Sequence, residues 1–419
     1  MTLLTGNSVQ QVTPTVAPVA PPTANQSDKQ AIPSTAYAGN EACRPCHAAK
    51  VNSYLTTAHY KTSSLATKDT VGGSFDAGHN VLVTANPRLS FRMESKPDGL
   101  YQSALTAAAP GAQPDVVRTE RMDVVTGSGR KGQTYLYWKG DQLFELPVSY
   151  WTQQHAWVNS PGFRDGELNF SRIITPRCIE CHGTSITVKP GTANNYDRAG
   201  FIAGIGCEKC HGPAKDHVAR MKTKERPPIA KDVVNTAKLT RERQIDLCGT
   251  CHSGGIMGSA PAFSYVPGAA LRDYFIAAPT PGSLLPRPSS PLLPPQGPPA
   301  VPVSAEVHGN QVGLMQSSKC YLNSATMTCS TCHNVHEPQR DVAAFAGKCL
   351  TCHTVQACRL FPRAGQKIAN RCIDCHMPNQ TSGVISVTAS AASMSPRVRN
   401  HAIRIYPVVS DEVMKTLAQ

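Results

Sequence analysis

The chain has 419 residues, enough for two or three domains, and only 6% of them are aromatic. With 31 Gly and 34 Pro, long regular helices or a large sheet are not expected, and a core is hard to build from side chains alone. The net charge of +13 would suit an anionic partner, but no basic run with interleaved aromatics occurs, so nucleic-acid binding is excluded.

The start, MTLLTGNSVQ, lacks a positive region followed by a sustained apolar stretch, so no secretory signal is visible, and no window is long enough to span a membrane. Residues 1–36 are rich in Thr, Val, Pro, Ala and Gln and read as a disordered tether. Residues 37–79 follow, with CRPCH and a helix-like segment ending near His59. Residues 80–150 hold two alternating stretches, RLSFRMESKPDGLYQSAL and QTYLYWKGDQLFELP. Pro-Asp-Gly and Lys-Gly-Asp at their centres make each a hairpin, so a small antiparallel insertion is expected there. Residues 151–260 carry three Cys-rich motifs, 261–305 form a Pro-rich connector, 306–380 carry three more motifs, and 381–419 are a tail containing His401. The expected fold class is mainly α with much irregular coil, with a small antiparallel β insertion at about 80–150.

The motifs are seven copies of C-x-x-C-H, which take fourteen of the 16 cysteines. They are Cys43, Cys46 and His47; Cys178, Cys181 and His182; Cys207, Cys210 and His211; Cys248, Cys251 and His252; Cys329, Cys332 and His333; Cys349, Cys352 and His353; and Cys372, Cys375 and His376. This composition gives roughly 0.02 copies by chance. The spacing serves c-type haem attachment: two thiols add to the two vinyl groups of one haem, and the adjacent His lies under the iron. Zinc knuckles do not require a His directly after each second Cys, and a redox dithiol does not recur seven times. The sequence therefore specifies seven covalent haems, with their irons, which would also fill the missing core.

Seven further histidines remain: His59, His79, His155, His217, His308, His336 and His401. Seven bis-histidine irons need seven distal ligands, so the inventory closes. His336 follows His333 by three; on a helical turn such residues share a face about 5–6 Å apart at Cβ, so they cannot serve one iron from opposite sides. His336 is expected to reach a neighbouring haem, and His217 in CHGPAKDH to act similarly. Met377, after the seventh motif, is read as packing rather than as an axial ligand. The two remaining cysteines, Cys320 and Cys358, are read as a disulfide, with free buried thiols the alternative. Seven haems carry fourteen propionates, which offset the basic excess, and ferric cores at about +1 each would leave about +6 oxidised and about −1 reduced.

Several segments resemble the multihaem c-type cytochromes related to the tetrahaem cytochrome of nitrifiers, and their larger relatives. They are GNEACRPCHAAKVNSYLTTAHYKTS, VTGSGRKGQTYLYWKGDQLFELPVSYW, NSPGF, CEKCHGPAKDH, SSKCYLNSATMTCSTCHNVHE, CLTCHTVQAC, CIDCHMP and NHAIRI. The resemblance spans about residues 37–407 and implies that His59, His217 and His401 are axial ligands; the Pro-rich connector before His308 departs from it.

Closely packed bis-histidine haems have no open site at iron, so an electron carrier is expected, with redox proteins as partners, outside the cytoplasm in the periplasm, on the cell surface or beyond it. The start is then that of a processed or truncated form. The alternative is an oxidoreductase of nitrogen or sulfur compounds with one five-coordinate haem and a polar distal pocket. A third reading, a homo-oligomer or filament exchanging ligands such as His59 or His401 between copies, is left open by the sequence.

Overall fold

The computed structural model describes residues 29–223, 232–277, 306–390 and 392–418. Most of the 1–36 tether and most of the 261–305 connector lie outside them.

The two hairpins form as the alternation requires. Leu89–Lys96 pairs Gly99–Thr106 with Lys96 opposite Gly99, so Pro97-Asp98 makes a two-residue turn. Leu89, Phe91 and Met93 are buried while Ser90 and Arg92 are half-exposed, the period-2 pattern of a sheet with one core face. Gly132–Lys139 pairs Gln142–Glu145 around Gly140, whose φ of 61° a residue with a Cβ rarely adopts.

The β structure is not a small insertion, however, and the chain is not mainly α: it is 32% helical and 24% strand, with several antiparallel sheets. Two sheets lie at the centre. Four strands run in the order Val81–Val83, Leu89–Lys96, Gly99–Thr106, Asp115–Arg121. The other sheet has eight strands, built on Gly132–Lys139, Val148–Trp151 and Ala156–Asn159. It recruits Ser63–Leu65 from the first haem segment, and Val387–Ala389 and Ala392–Met394 from the tail. Strands of three residues carry no readable alternation, and this pairing joins segments over 200 residues apart in sequence, which local patterning cannot show. Three two-stranded pairs complete the β structure among the described residues.

The main core lies between these sheets, where Phe91, Met93, Tyr135, Tyr137, Leu146 and Trp157 are buried together. A second cluster, with Leu143, Ile179, Ile186 and Tyr196, packs against the second motif. Helices are short: Arg44–Tyr54, Pro176–His182, Cys207–His211, Lys215–Met221, Arg241–His252, Val342–Cys349, Cys372–His376 and Pro407–Ala418 among them. None among the described residues is long and apolar enough to cross a membrane.

Candidate haem-attachment cluster

The motifs sit at helix starts, at helix ends or on single turns. The first opens Arg44–Tyr54; the second, third and seventh are helical turns themselves. The fourth and sixth lie at the ends of Arg241–His252 and Val342–Cys349. The fifth is a tight turn, Cys329–Thr331, closed by reciprocal bonds between Thr328 and Thr331. One helical turn puts residues i, i+3 and i+4 on a common face, so both thiols and the imidazole of a motif can address one group.

The thiols of different motifs meet. Hydrogen bonding to Cys207 raises the Cys43 pKa, and the same effect reaches Cys181 from Cys251, Cys248 from Cys329 and Cys349 from Cys372. Weaker electrostatic influences, behind burial, link Cys210 to Cys251 and Cys332 to Cys352. Thioether formation would consume these thiols; what the contacts report is position. The motifs are neighbours in the order one, three, four, five, six, seven, with the second beside the fourth.

Three pairs of imidazoles face one another. His59 and His252 have ring centres 6.1 Å apart, His211 and His336 6.2 Å, and His333 and His401 6.2 Å. A metal ion bound by an imidazole nitrogen on each side at about 2 Å puts the ring centres about 6 Å apart, so each pair has the spacing of two axial ligands. The adjacent His333 and His336 belong to different pairs.

The far side of the rings fits the same role. An Nδ1–H that donates to a carbonyl leaves Nε2 as the free lone pair and fixes the ring. His211 Nδ1 lies 2.8 Å from Val234 O, His252 Nδ1 3.0 Å from Gln311 Oε1, His376 Nδ1 3.0 Å from Arg404 O and His401 Nδ1 3.0 Å from Arg399 O. Burial favours the neutral form of four of these rings: it lowers the pKa of His59, His333 and His336, and takes His401 down to about 4. Residues of this kind fit a bis-histidine haem.

The other expected ligands are placed less tightly. Burial first, then nearby His182 and His252, lowers the pKa of His308, while Glu306 opposes the shift. His217 lies on Lys215–Met221, which Lys215 ties to Thr35 O at 3.0 Å, and its buried Nδ1 has no hydrogen-bond partner. His79 and His155 are exposed on the β portion. His155, at φ 49°, has its Nδ1 3.4 Å from the Tyr150 hydroxyl. His47 and His353 are also exposed. Cys320 and Cys358 are free thiols; Cys320 influences Cys332 and Cys349, and Cys358 influences Cys375. Sequence reading missed the contacts made by residues inside the motifs: buried Glu180 accepts Phe263 N at 2.8 Å, and buried Glu208 accepts Ala38 N at 2.7 Å. An acidic residue between two cysteines was the available signal.

Residues 149–212, which include the second and third motifs, match the family model of cytochrome c554 and c-prime. No curated protein matches the chain. Among solved structures, the outer cell wall cytochrome OcwA is similar in fold, with a TM-score of 0.51 and 18% identity over 90% of this chain and 81% of that one. An undecaheme cytochrome from the S-layer of Carboxydothermus ferrireducens gives a TM-score of 0.40 and 15% identity over 88% of this chain and 58% of that one. The family match and the motifs within it support covalently bound c-type haem, in a chain whose fold is shared with a cell-wall cytochrome.

Proposed function

We propose that the chain is a heptahaem c-type cytochrome that carries electrons along closely packed bis-histidine haems outside the cytoplasm. The observation that carries this reading is the set of three imidazole pairs at 6.1–6.2 Å, each joining a motif His to one from a distant segment. When bound, haem supplies one-electron chemistry that no side chain here provides. The chain's part is to hold the thiols in turns, cap each metal from both sides, and keep the motifs in contact. The proposed remaining ligands are His308 for the second motif, which its influence from His182 supports, and His217 for the first. The contact between Cys43 and Cys207, which sets the third motif and the helix after it beside the first, supports this choice of His217. His79 and His155 are left to serve the sixth and seventh motifs. Redox proteins as partners belong to the same proposal. A cell-surface location is supported by the outer cell wall cytochrome of similar fold. His59 and His401 each pair within the chain, which favours ligation in cis over exchange between copies.

A second reading, an oxidoreductase of nitrogen or sulfur compounds with an open haem, is favoured by one observation. Among the described ring contacts, no imidazole faces the motif histidines His47, His182, His353 or His376, and for the last two no candidate partner lies in a neighbouring segment. The test is the pyridine haemochrome count and the spectrum of the dithionite-reduced protein with and without carbon monoxide. Seven haems and no change support the carrier; a count far from seven overturns it. A change worth one or two haems selects the oxidoreductase, to be assayed with nitrite, hydroxylamine and sulfur oxyanions.

A further inference from the structure

The last strand of the tail, Arg397–Arg399, and the residues after it touch two haem sites at once. Arg399 grips the seventh motif with three bonds. One nitrogen donates to Ile373 O at 3.0 Å and Met377 O at 3.1 Å, and another lies 2.7 Å from Asp374 Oδ1. Asp374 stands inside that motif and is held from its other side by Arg371 at 3.0 Å. The carbonyl of Arg399 takes the Nδ1–H of His401 at 3.0 Å, and the His401 ring faces His333 of the fifth motif at 6.2 Å. Three residues on, Arg404 O takes the Nδ1–H of His376 at 3.0 Å. The far face of this strand is fixed as well: Ser318 Oγ lies 3.2 Å from His401 O and 2.8 Å from Ile403 N.

Lying between the tail and the seventh motif, this arginine spans the gap by which one site could feel the other. We infer that Arg399 is a positioning residue for the distal ligand of the fifth motif's haem. By locking the strand to Asp374 it aims His401 at the fifth motif. A guanidinium suits this because it bonds carbonyls and a carboxylate from one rigid plane; a Lys ammonium is a point charge with no such fork. The backbone carbonyl then fixes the imidazole, the outer-shell contact that metal-ligating histidines need.

This inference rests on the haem reading above, and the experiment separates the two. The holoprotein, His401→Ala, Arg399→Met and the double variant are each reduced with dithionite and titrated with carbon monoxide, with pyridine haemochrome counted on every sample. Asp374→Asn, which keeps the shape and removes the charge, is the second variant should Arg399→Met fail to accumulate. The expected result is that His401→Ala opens one haem and that Arg399→Met opens the same one, with the same difference band. The double variant then opens no more haems than Arg399→Met alone, Arg399→Lys restores the closed state only in part, and Asp374→Asn follows Arg399→Met at lower amplitude. If His401→Ala opens a haem while neither Arg399→Met nor Asp374→Asn does, the positioning role falls and the haem reading stands. Additive opening by the double variant also overturns it, because a general loosening would expose haems unrelated to His401. A haem count far from seven in the unaltered protein overturns the parent reading instead.

Discussion

The first perturbation to make is Glu208→Gln. Glu208 is 3% exposed and sits between the two cysteines of the third motif. One carboxylate oxygen accepts Ala38 N at 2.7 Å and Ala214 N at 2.8 Å; the other accepts Gly39 N at 2.8 Å. Ala38 and Gly39 lie at the entry to the first motif, and Asn40 Oδ1 adds a bond to Cys207 N at 2.9 Å. The carboxylate thus straps the first motif to the third. An amide keeps one oxygen, so two bonds become neutral at a loss of about 1 kcal/mol each, and its NH2 then meets the Gly39 N–H donor to donor, leaving a buried group unpaired at about 1–3 kcal/mol. The expected destabilisation is about 3–5 kcal/mol, read as the loss of unfolding free energy in guanidinium titrations of the haem-loaded protein at neutral pH. Glu208→Asp, which keeps the charge but is one methylene shorter, should lie between. A Glu208→Gln variant within about 0.5 kcal/mol of the parent would refute the strap, because that is the range of substitutions that break nothing.

Other outcomes follow from the same geometry. His336→Ala should open one haem, so that carbon monoxide changes about one-seventh of the haem absorbance; a spectrum unmoved by carbon monoxide would remove His336 from the ligand set. Gly204→Ala should cost more than 3 kcal/mol and disturb the His59–His252 pair, since Gly204 has φ +69° and a Cβ there would lie 2.1 Å from Tyr60 O, next to His59; an unfolding midpoint and haem spectrum like the parent's would count against it. Glu145 lies 3.0 Å from Arg172, yet burial outweighs that pairing and raises its pKa above 4.5. The folded state therefore holds this proton more tightly than the unfolded one, and stability from the group, present at lower pH, is lost as pH rises from about 4.5 through the folded value. Glu145→Gln should remove that fall, gaining on the parent as pH increases, and parallel stability–pH curves would contradict the assignment.

The attachment chemistry was legible because it is local: two thiols and an imidazole within five residues survive any folding. The separation of His333 from His336 was legible for the same reason, since a single turn forbids both from serving one metal. The partners of His211, His252 and His333 were not, because each lies 68 or more residues away along the chain and is brought in by tertiary contacts. The sheet failed differently. The two hairpins, one in each sheet, announce themselves through Pro97-Asp98 and Gly140, but the eight-stranded sheet also takes in three-residue strands such as Val387–Ala389, which pair because Asn159 stands opposite Thr388 and donates to its carbonyl at 3.0 Å. Nothing within three residues encodes such a partner. The low aromatic content misled as well: aromatics are few, but Tyr135, Tyr137, Phe91, Phe170 and Trp157 are gathered in one cluster, enough for one substantial β core.

That concentration leaves the C-terminal motifs short of apolar cover. Among the described residues between 306 and 404 the large buried aliphatic side chains are few, chiefly Val307, Val312, Leu314, Met315, Ile368, Ile373 and Val387, and they fall in small clusters. Fixing a residue's backbone costs about 1–2 kcal/mol, whereas burying a large aliphatic side chain returns about 1.5–3 kcal/mol, so side chains this sparse cannot order some hundred residues. The β core has no such deficit. On the proposed reading, the missing apolar contact in the C-terminal part comes from the covalent groups its three motifs hold. Chain produced without haem attachment should then keep slow amide exchange in Leu89–Lys96, Gly99–Thr106 and Gly132–Lys139 and lose it throughout 306–404, while the loaded protein protects both. Equal protection of the C-terminal part with and without haem would mean that side chains alone hold the fifth to seventh motifs together, and that haem is a passenger there rather than the core.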